Sequence, residues 1–279
     1  MSLRRNCHVL VRLSVPALLA AALVPAVSAQ QTDSVRVSVL VLDEAKLLGL
    51  SAAHVATSPL RWGEPELRTV ATAAIGIFAL SSLDEAGRAF MLRQQSTGND
   101  HAAAQVERLG TVENFYILGA FFLAGVTFDD ARARSVAAEG LASSLLAAGV
   151  ITPTLQRIAG RSRPRKEQPS HTFNPWSGSL SFPSGHTTQA FAVASVIATE
   201  YDHPAVQVVA YGLAGGVAAS RMYHGAHFVS DVTAAALIGT VVGRSVAHYG
   251  QSRRAGHGAR ALLESNAGDG VRVGITIVH

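Results

Sequence analysis

The most informative stretch of this 279-residue sequence is Ser220–Asp231, SRMYHGAHFVSD. It contains Arg221, then His227, then Asp231 four positions after the histidine. Positions i and i+4 lie on the same face of a helix, so a helical stretch would bring the carboxylate of Asp231 to one ring nitrogen of His227. The other nitrogen would keep a free lone pair, as a nucleophilic histidine requires. Because a guanidinium binds phosphoryl oxygens bidentately, Arg221 beside this pair predicts chemistry at phosphorus.

A second stretch, Phe182–Thr188, supplies groups that would hold an anion. Its Pro-Ser-Gly turn stands before an apolar run, which predicts the start of a helix. The free N–H groups and the dipole of a helix start attract negative charge. Ser184 adds a hydroxyl donor, Gly185 lets the backbone approach closely, and His186 is placed to protonate a leaving oxygen.

A third stretch, Gln156–Pro164, places three arginines in a short segment, and Arg163 is predicted to be the second clamp on the phosphate. The order Arg-Pro, Pro-Ser-Gly-His and Ser-Arg-x5-His-x3-Asp resembles the type 2 phosphatidic acid phosphatase and vanadium haloperoxidase superfamily. The second and third motifs match in full. The first motif of the family is Lys-x6-Arg-Pro, and this chain has Gln156 at the lysine position.

The resemblance implies a role for each matched residue. His227 would be the nucleophile, Asp231 the residue that orients it and His186 the general acid. The implied phosphate ligands are Arg163, Ser184, Gly185 and Arg221, with Gln156 in place of the lysine. No metal and no cofactor is implied, because arginines and backbone amides neutralise the phosphate.

The glutamine changes the expected strength of phosphate binding. Losing one charge-assisted hydrogen bond would cost about 1.5–3 kcal/mol. Arg157 or Arg161 could restore the charge from a neighbouring position. Taken without the other motifs, His227 and Asp231 would also suit an ion pair at a helix start.

Composition predicts the fold class. Apolar residues make up 48% of the chain and aromatic residues 6%, which favours closely packed helices over sheets. We therefore expect an all-α bundle of about six core helices, of the phosphatidic acid phosphatase and haloperoxidase type.

The chain divides into four predicted segments. Residues 1–29 have the basic start, apolar middle and small-residue end of a signal peptide. Residues 30–66 form an N-terminal extension, residues 67–250 the phosphatase-like helical domain and residues 251–279 a C-terminal tail. Residues 34–42 of the N-terminal extension and residues 271–278 of the C-terminal tail are predicted to pair as strands.

Two features are predicted inside the helical domain. The alanine-rich helix at 131–151 is expected to be broken by Pro153. The region 152–187 is expected to be irregular and to form a lid or rim over the pocket. His171, Phe173 and Trp176 would shape substrate access there.

Charge and hydropathy bear on partners and localisation. The net charge of +4 includes arginines of the leader, so the mature chain is close to neutral and a nucleic-acid partner is not expected. The uninterrupted apolar runs are shorter than the roughly 20 residues of a spanning helix. The sequence favours a soluble or peripherally bound exported protein, periplasmic or membrane-associated, with an integral membrane enzyme as the alternative.

The predicted activity is hydrolysis of a phosphate monoester or a lipid (pyro)phosphate through a phosphohistidine. The partner would be a phosphorylated small molecule or a lipid phosphate. One alternative is a vanadate-dependent haloperoxidase, against which the missing lysine argues. The other is a non-catalytic helical protein that binds phosphate.

Overall fold

The computed structural model describes residue 46 and residues 49–267, with side chains up to residue 256. The predicted signal peptide and the two predicted strands lie outside these residues. Residues 49–56 are helical. The helices that follow are α1 (Glu64–Leu80), α2 (Asp84–Arg93), α3 (Thr97–Arg108), α4 (Val112–Thr127), α5 (Ala131–Ser144), α6 (Thr152–Ala159), α7 (Gly185–Tyr201), α8 (Pro204–Tyr223) and α9 (Val229–Ala267).

The predicted all-α fold is confirmed. Within the described part of the chain there is no strand, and a single isolated bridge joins Arg161 to Phe173. Short 3-10 segments occupy Ser58–Arg61, Ser81–Leu83 and Pro164–Lys166. Helix α9 continues to Ala267, beyond the predicted domain boundary at residue 250.

Helix α7 lies at the centre of the described fold and packs against α5, α8 and α9. The residues that it buries are mostly small, among them Ala190, Ala192 and Ala194. A Cβ atom at Gly243 of α9 would lie 2.3 Å from the carbonyl oxygen of Ala192, so the two helix backbones are in direct contact. This close packing fixes the first turns of α7 and α9 beside each other.

The predicted break at Pro153 is wrong. A π-helical segment, Leu145–Ile151, joins α5 to α6, and Pro153 lies in the first turn of α6. Because the i→i+5 pattern of a π segment displaces the regular hydrogen bonds, a residue without an N–H is accommodated there. The helical path therefore continues to Ala159, and Gly160, with φ of +56°, ends it in the left-handed conformation.

Large apolar side chains cover much of the outer surface. Helix α1 buries none of its residues, and Phe78 is 81% exposed. Among the described residues, three helical spans are long and apolar enough to cross a membrane, namely Glu64–Arg93, Ala131–Ala159 and Val229–Gly256. The bent pair Thr97–Arg108 and Val112–Thr127 would add a fourth. This surface favours membrane association over a soluble protein.

Candidate active site

His227 lies two residues before α9 and is buried, with 3% of its surface exposed. Its Nδ1 is 2.7 Å from the carbonyl oxygen of Ser181. A carbonyl oxygen only accepts hydrogen bonds, so Nδ1 carries the ring proton. In the neutral ring, Nε2 then holds the free lone pair. The site therefore has the free ring nitrogen that nucleophilic attack requires.

Asp231 does not make the contact that was predicted for it. The expectation that Asp231 and His227 share a helix face is wrong, because α9 begins at Val229. The carboxylate lies 3.8 Å from Nδ1 of His227, beyond hydrogen-bond distance. It acts on the imidazole by its charge and through Ser181, whose hydroxyl donates to Oδ2 of Asp231 at 2.6 Å.

Asp231 also stabilises the first turn of its own helix. Its Oδ2 accepts from the backbone N–H of Phe228 at 2.9 Å, which is the return half of a capping box. The backbone N–H of Ser184 donates to the carbonyl oxygen of Asp231 at 3.2 Å. Asp231 therefore joins the start of α9 to the Pro-Ser-Gly-His turn.

A buried ion network lies behind Asp231. Arg161 is 2% exposed, and its Nη1 donates to Asp231 while its Nη2 donates to Asp84, each at 2.6 Å. Asp84 in turn accepts from the backbone N–H of Ser230 at 2.9 Å. Nε of Arg161 donates to the carbonyl oxygen of Ser170. Because these carboxylates engage Arg161, the expectation that it restores the lysine charge at the phosphate is wrong.

The Pro-Ser-Gly-His turn begins α7 as predicted. Ser184 is the N-cap and is fully buried, and its hydroxyl oxygen accepts from Oγ1 of Thr187 at 3.0 Å. The hydroxyl proton of Ser184 and the N–H groups of the first turn remain donors for an anion. His186 follows in the same turn.

Gln156 supports this turn from α6. Its Nε2 donates to the carbonyl oxygen of Pro183 at 2.9 Å. A Cβ atom at Gly185 would lie 4.0 Å from the same Nε2. Gln156 therefore lies next to the predicted phosphate position, with its amide already engaged by the backbone.

The two arginines that are predicted to bind the phosphate, Arg163 and Arg221, have different surroundings. Arg163 is partly buried and donates weakly to the carbonyl oxygen of Leu180, at 3.4 Å. Arg221 is buried, and its Nη1 donates to Oε2 of Glu107 on α3. Nε of Arg221 is buried with no hydrogen-bond partner among the described residues.

The side chains of the site affect one another through their charges. Burial, followed by the charge of Arg221 and of His227, lowers the pKa of His186 to about 4. Burial also lowers the pKa of His227, and the carboxylate of Asp231 opposes that shift. The charges of Arg163 and Arg221 act on both histidines. Both imidazoles are therefore neutral near pH 7 in the free protein.

An open pocket of about 340 Å³ reaches His186 from the side of α3 and α4. It is lined by Gly110, Thr111, Val112, Phe115, Ala148, Gly185, His186 and Gln189. The loop residues predicted to shape access, His171, Phe173 and Trp176, are all exposed, and their role stays a prediction. Phe173 also stacks on Arg161, whose guanidinium carbon lies 5.3 Å from the ring centroid.

Three residues of the site were not identified from the sequence. Ser181 lies in an irregular loop outside the motifs, and it acts partly through a backbone carbonyl that any residue would supply. Asp84 begins a helix, where a carboxylate ordinarily serves the helix dipole. Glu107 lies on an amphipathic helix far from the motifs. No periodicity or spacing connects these three positions to the histidines.

Comparison with known proteins gives one family match. Residues 138–255 match the PAP2 superfamily. No curated protein sequence shows a significant match.

Two solved structures are similar to this chain. The crystal structure of LpxE from Aquifex aeolicus is 22% identical, with a TM-score of 0.45 over 59% of this chain and 94% of that chain. The transmembrane PAP2 type phosphatidylglycerolphosphate phosphatase from Bacillus subtilis is 21% identical, with a TM-score of 0.46 over 65% of this chain and 96% of that chain. The family match over residues 138–255 includes all of α7 and α8 and both complete motifs.

Proposed function

We propose that this protein is a phosphatase that hydrolyses lipid phosphates or other phosphate monoesters, with His227 as the nucleophile. One observation carries the proposal. The hydrogen bond from Nδ1 of His227 to the carbonyl oxygen of Ser181 leaves Nε2 as the unprotonated ring nitrogen. The low pKa of the buried ring keeps it neutral at physiological pH.

The reaction has two steps. In the first, Nε2 of His227 forms a bond to phosphorus while the bond from phosphorus to the ester oxygen breaks, and His186 gives its proton to that oxygen. In the second, His186 takes a proton from water, the water oxygen bonds to phosphorus, and the bond to Nε2 breaks. Orthophosphate and the alcohol are the products, and the enzyme returns to its starting state.

The charge that develops on the phosphoryl oxygens would be held by the predicted ligands. Arg163 and Arg221 supply two guanidinium groups, and Ser184 with the amide of Gly185 supplies neutral donors at the helix start. Gln156 adds no charge. Asp231 stabilises the cationic phosphohistidine ring from 3.8 Å.

The surface of the molecule supports a lipid phosphate as the substrate. The pocket beside His186 includes Val112 and Phe115, and the surrounding helices expose large apolar side chains. An apolar alcohol could leave toward this pocket once His186 protonates its oxygen. The basic and apolar start of the chain, residues 1–29, supports export of the phosphatase domain as part of the same proposal.

Release of orthophosphate from a panel of phosphate esters tests the proposal. The panel contains phosphatidic acid in detergent micelles, a sugar phosphate and p-nitrophenyl phosphate. We expect turnover, and a loss of at least about 1,000-fold in His227→Ala. Binding of orthophosphate without turnover of any ester would support a non-catalytic phosphate-binding protein instead. Bromide oxidation on addition of vanadate and peroxide would support a haloperoxidase.

A further inference from the structure

Glu107 on α3 contacts Arg221 of the third motif and His224, which lies between the motif residues. Its Oε2 lies 2.7 Å from Nδ1 of His224 and also accepts from Nη1 of Arg221. A carboxylate oxygen accepts, so His224 and Arg221 both donate to this one atom. The side chain of Glu107 is 28% exposed, and that of Arg221 is 11% exposed. The pair is therefore largely shielded from water, where charge-assisted hydrogen bonds are strong.

The contact fixes which edge of Arg221 is free. In a guanidinium group, Nη1 lies on the side of Cδ, while Nε–H and one N–H of Nη2 point in parallel from the other edge. Glu107 engages Nη1, and Nε is buried with no partner among the described residues. Leaving a buried donor without an acceptor is unfavourable. A phosphoryl oxygen at the Nε and Nη2 edge would satisfy it.

We propose that Glu107 is a positioning residue, which holds Arg221 by Nη1 so that its Nε and Nη2 edge faces the phosphate. His224 holds Glu107 in place by donating to the same oxygen. This inference rests on the proposed phosphatase function and extends it to two residues outside the catalytic groups.

Glu107 has a second effect through its charge. The carboxylate opposes the arginines and raises the pKa of His186 above the value that burial and Arg221 would otherwise set. Removing the charge would make His186 release its proton at lower pH. Substitutions of Glu107 can therefore separate its positioning of Arg221 from the effect of its charge on His186.

Two variants of Glu107 make that separation. Glu107→Gln keeps an oxygen that accepts from both donors but removes the charge, whereas Glu107→Ala removes both. With p-nitrophenyl phosphate as substrate, we expect Glu107→Ala to raise the inhibition constant of orthophosphate about 10-fold. Glu107→Gln should raise it less than about 3-fold. In both variants the basic limb of the kcat profile should move to lower pH.

Substitutions of His224 provide an independent readout. His224→Asn places an amide N–H close to the position of Nδ1 and should keep the inhibition constant of orthophosphate near that of the wild type. His224→Leu removes the donor and should weaken orthophosphate binding several-fold. These variants also serve if Glu107→Ala fails to fold.

Glu113→Gln is the matched control. Glu113 accepts from Nε of Arg108 at 2.5 Å, so the variant removes the negative charge from a Glu–Arg pair close by in the chain that touches neither histidine of the site. It should change neither the inhibition constant nor the pH profile by more than about 2-fold, and a thermal unfolding curve shows whether it is folded.

The outcomes separate this inference from the function on which it rests. If Glu107→Ala leaves the orthophosphate constant unchanged or lowers it, or if His224→Asn and His224→Leu behave alike, the positioning role is wrong while the phosphatase stands. If the wild type releases no phosphate from any ester, the proposed phosphatase function itself is wrong, and the positioning role falls with it.

Discussion

The backbone carbonyl of Ser181 decides which nitrogen of His227 can react. It accepts the Nδ1 proton at 2.7 Å, and the hydroxyl of the same serine donates to Asp231. Asp231 thus acts on the proposed nucleophile without a direct hydrogen bond to it. Positive charge that forms on the ring during attack would be stabilised by Asp231 and by the Ser181 carbonyl together.

The lowered pKa of His186 predicts an unusual pH dependence. The proposed acid must be protonated, and in the free protein its pKa is about 4. We therefore expect kcat/KM for p-nitrophenyl phosphate to fall as pH rises on the basic side of an acidic optimum. In the complex, the negative phosphate favours the protonated ring, so the basic limb of kcat should lie at higher pH than that of kcat/KM.

The control for this profile is His186→Ala. It should lose about 100-fold to 10,000-fold in kcat and should lose the basic limb. The rates must be corrected for the second ionisation of the phosphate itself. A wild-type profile with coincident limbs in kcat and kcat/KM would contradict the assignment of His186 as the acid.

The buried network of Asp84, Arg161 and Asp231 predicts a large effect on stability. Asp84→Asn would leave the buried guanidinium of Arg161 with one carboxylate in place of two. Breaking a buried pair in this way costs about 3–5 kcal/mol. Thermal unfolding of the purified protein in detergent should show a correspondingly lower midpoint.

An exposed ion pair of α1 gives the comparison. Glu64 and Arg68 are 2.5 Å apart, and each side chain is 76% exposed. Glu64→Gln should cost less than about 0.5 kcal/mol. Equal midpoints for Asp84→Asn and Glu64→Gln would mean that the buried network does not stabilise the fold.

Among the elements, α6 holds the Pro-Ser-Gly-His turn through Gln156. The π segment carries the helical path past Pro153, and Gln156 then donates to the carbonyl oxygen of Pro183. In the family motif a lysine occupies this position. Its ammonium group could make the same bond and add a positive charge beside Gly185.

Gln156→Lys should therefore strengthen phosphate binding. We expect the inhibition constant of orthophosphate to fall, by up to about 10-fold, because one charge-assisted bond is gained. Thr154→Lys adds the same charge at an exposed position of α6 and should have little effect. A Gln156→Lys variant that binds orthophosphate no better than Thr154→Lys would show that position 156 is too far from the phosphate to contribute.

The sequence was most informative where chemistry is encoded by local motifs. The helix start at Ser184 was predictable because the turn residues and the apolar run that follows are contiguous.

The break at Pro153 was wrongly predicted, since a π segment is a hydrogen-bonding pattern with no composition of its own. Contacts such as Arg161 with Asp84, across 77 positions, depend on tertiary packing.

For the molecule as a whole, the exposed apolar surface indicates membrane association. In the sequence, each apolar run ends at a charge or a proline before it reaches the length of a spanning helix. In the structure, α1 and α2 join into the candidate span Glu64–Arg93, and Ala131–Ala159 continues across Pro153. Neither span is apparent from uninterrupted apolar runs, because charged residues or a proline lie within each span.

This surface predicts that the protein behaves as an integral membrane protein. After expression it should remain in the membrane fraction through washes in high salt and in alkaline carbonate, and detergent should release it. Phe78→Lys, on the exposed face of α1, should reduce insertion because a lysine at the centre of a spanning helix costs about 2.5–3.5 kcal/mol. Release by carbonate alone would show that these helices do not span a bilayer.

Trapping the phosphoenzyme tests directly whether His227 attacks phosphorus. The wild-type protein is mixed with phosphatidic acid carrying a radioactive phosphate, quenched within milliseconds and digested, and the labelled peptide is sequenced. We expect an acid-labile, base-stable label on the imidazole of residue 227, and no label in His227→Ala. Turnover with no labelled histidine, or with the label on any other residue, would contradict it.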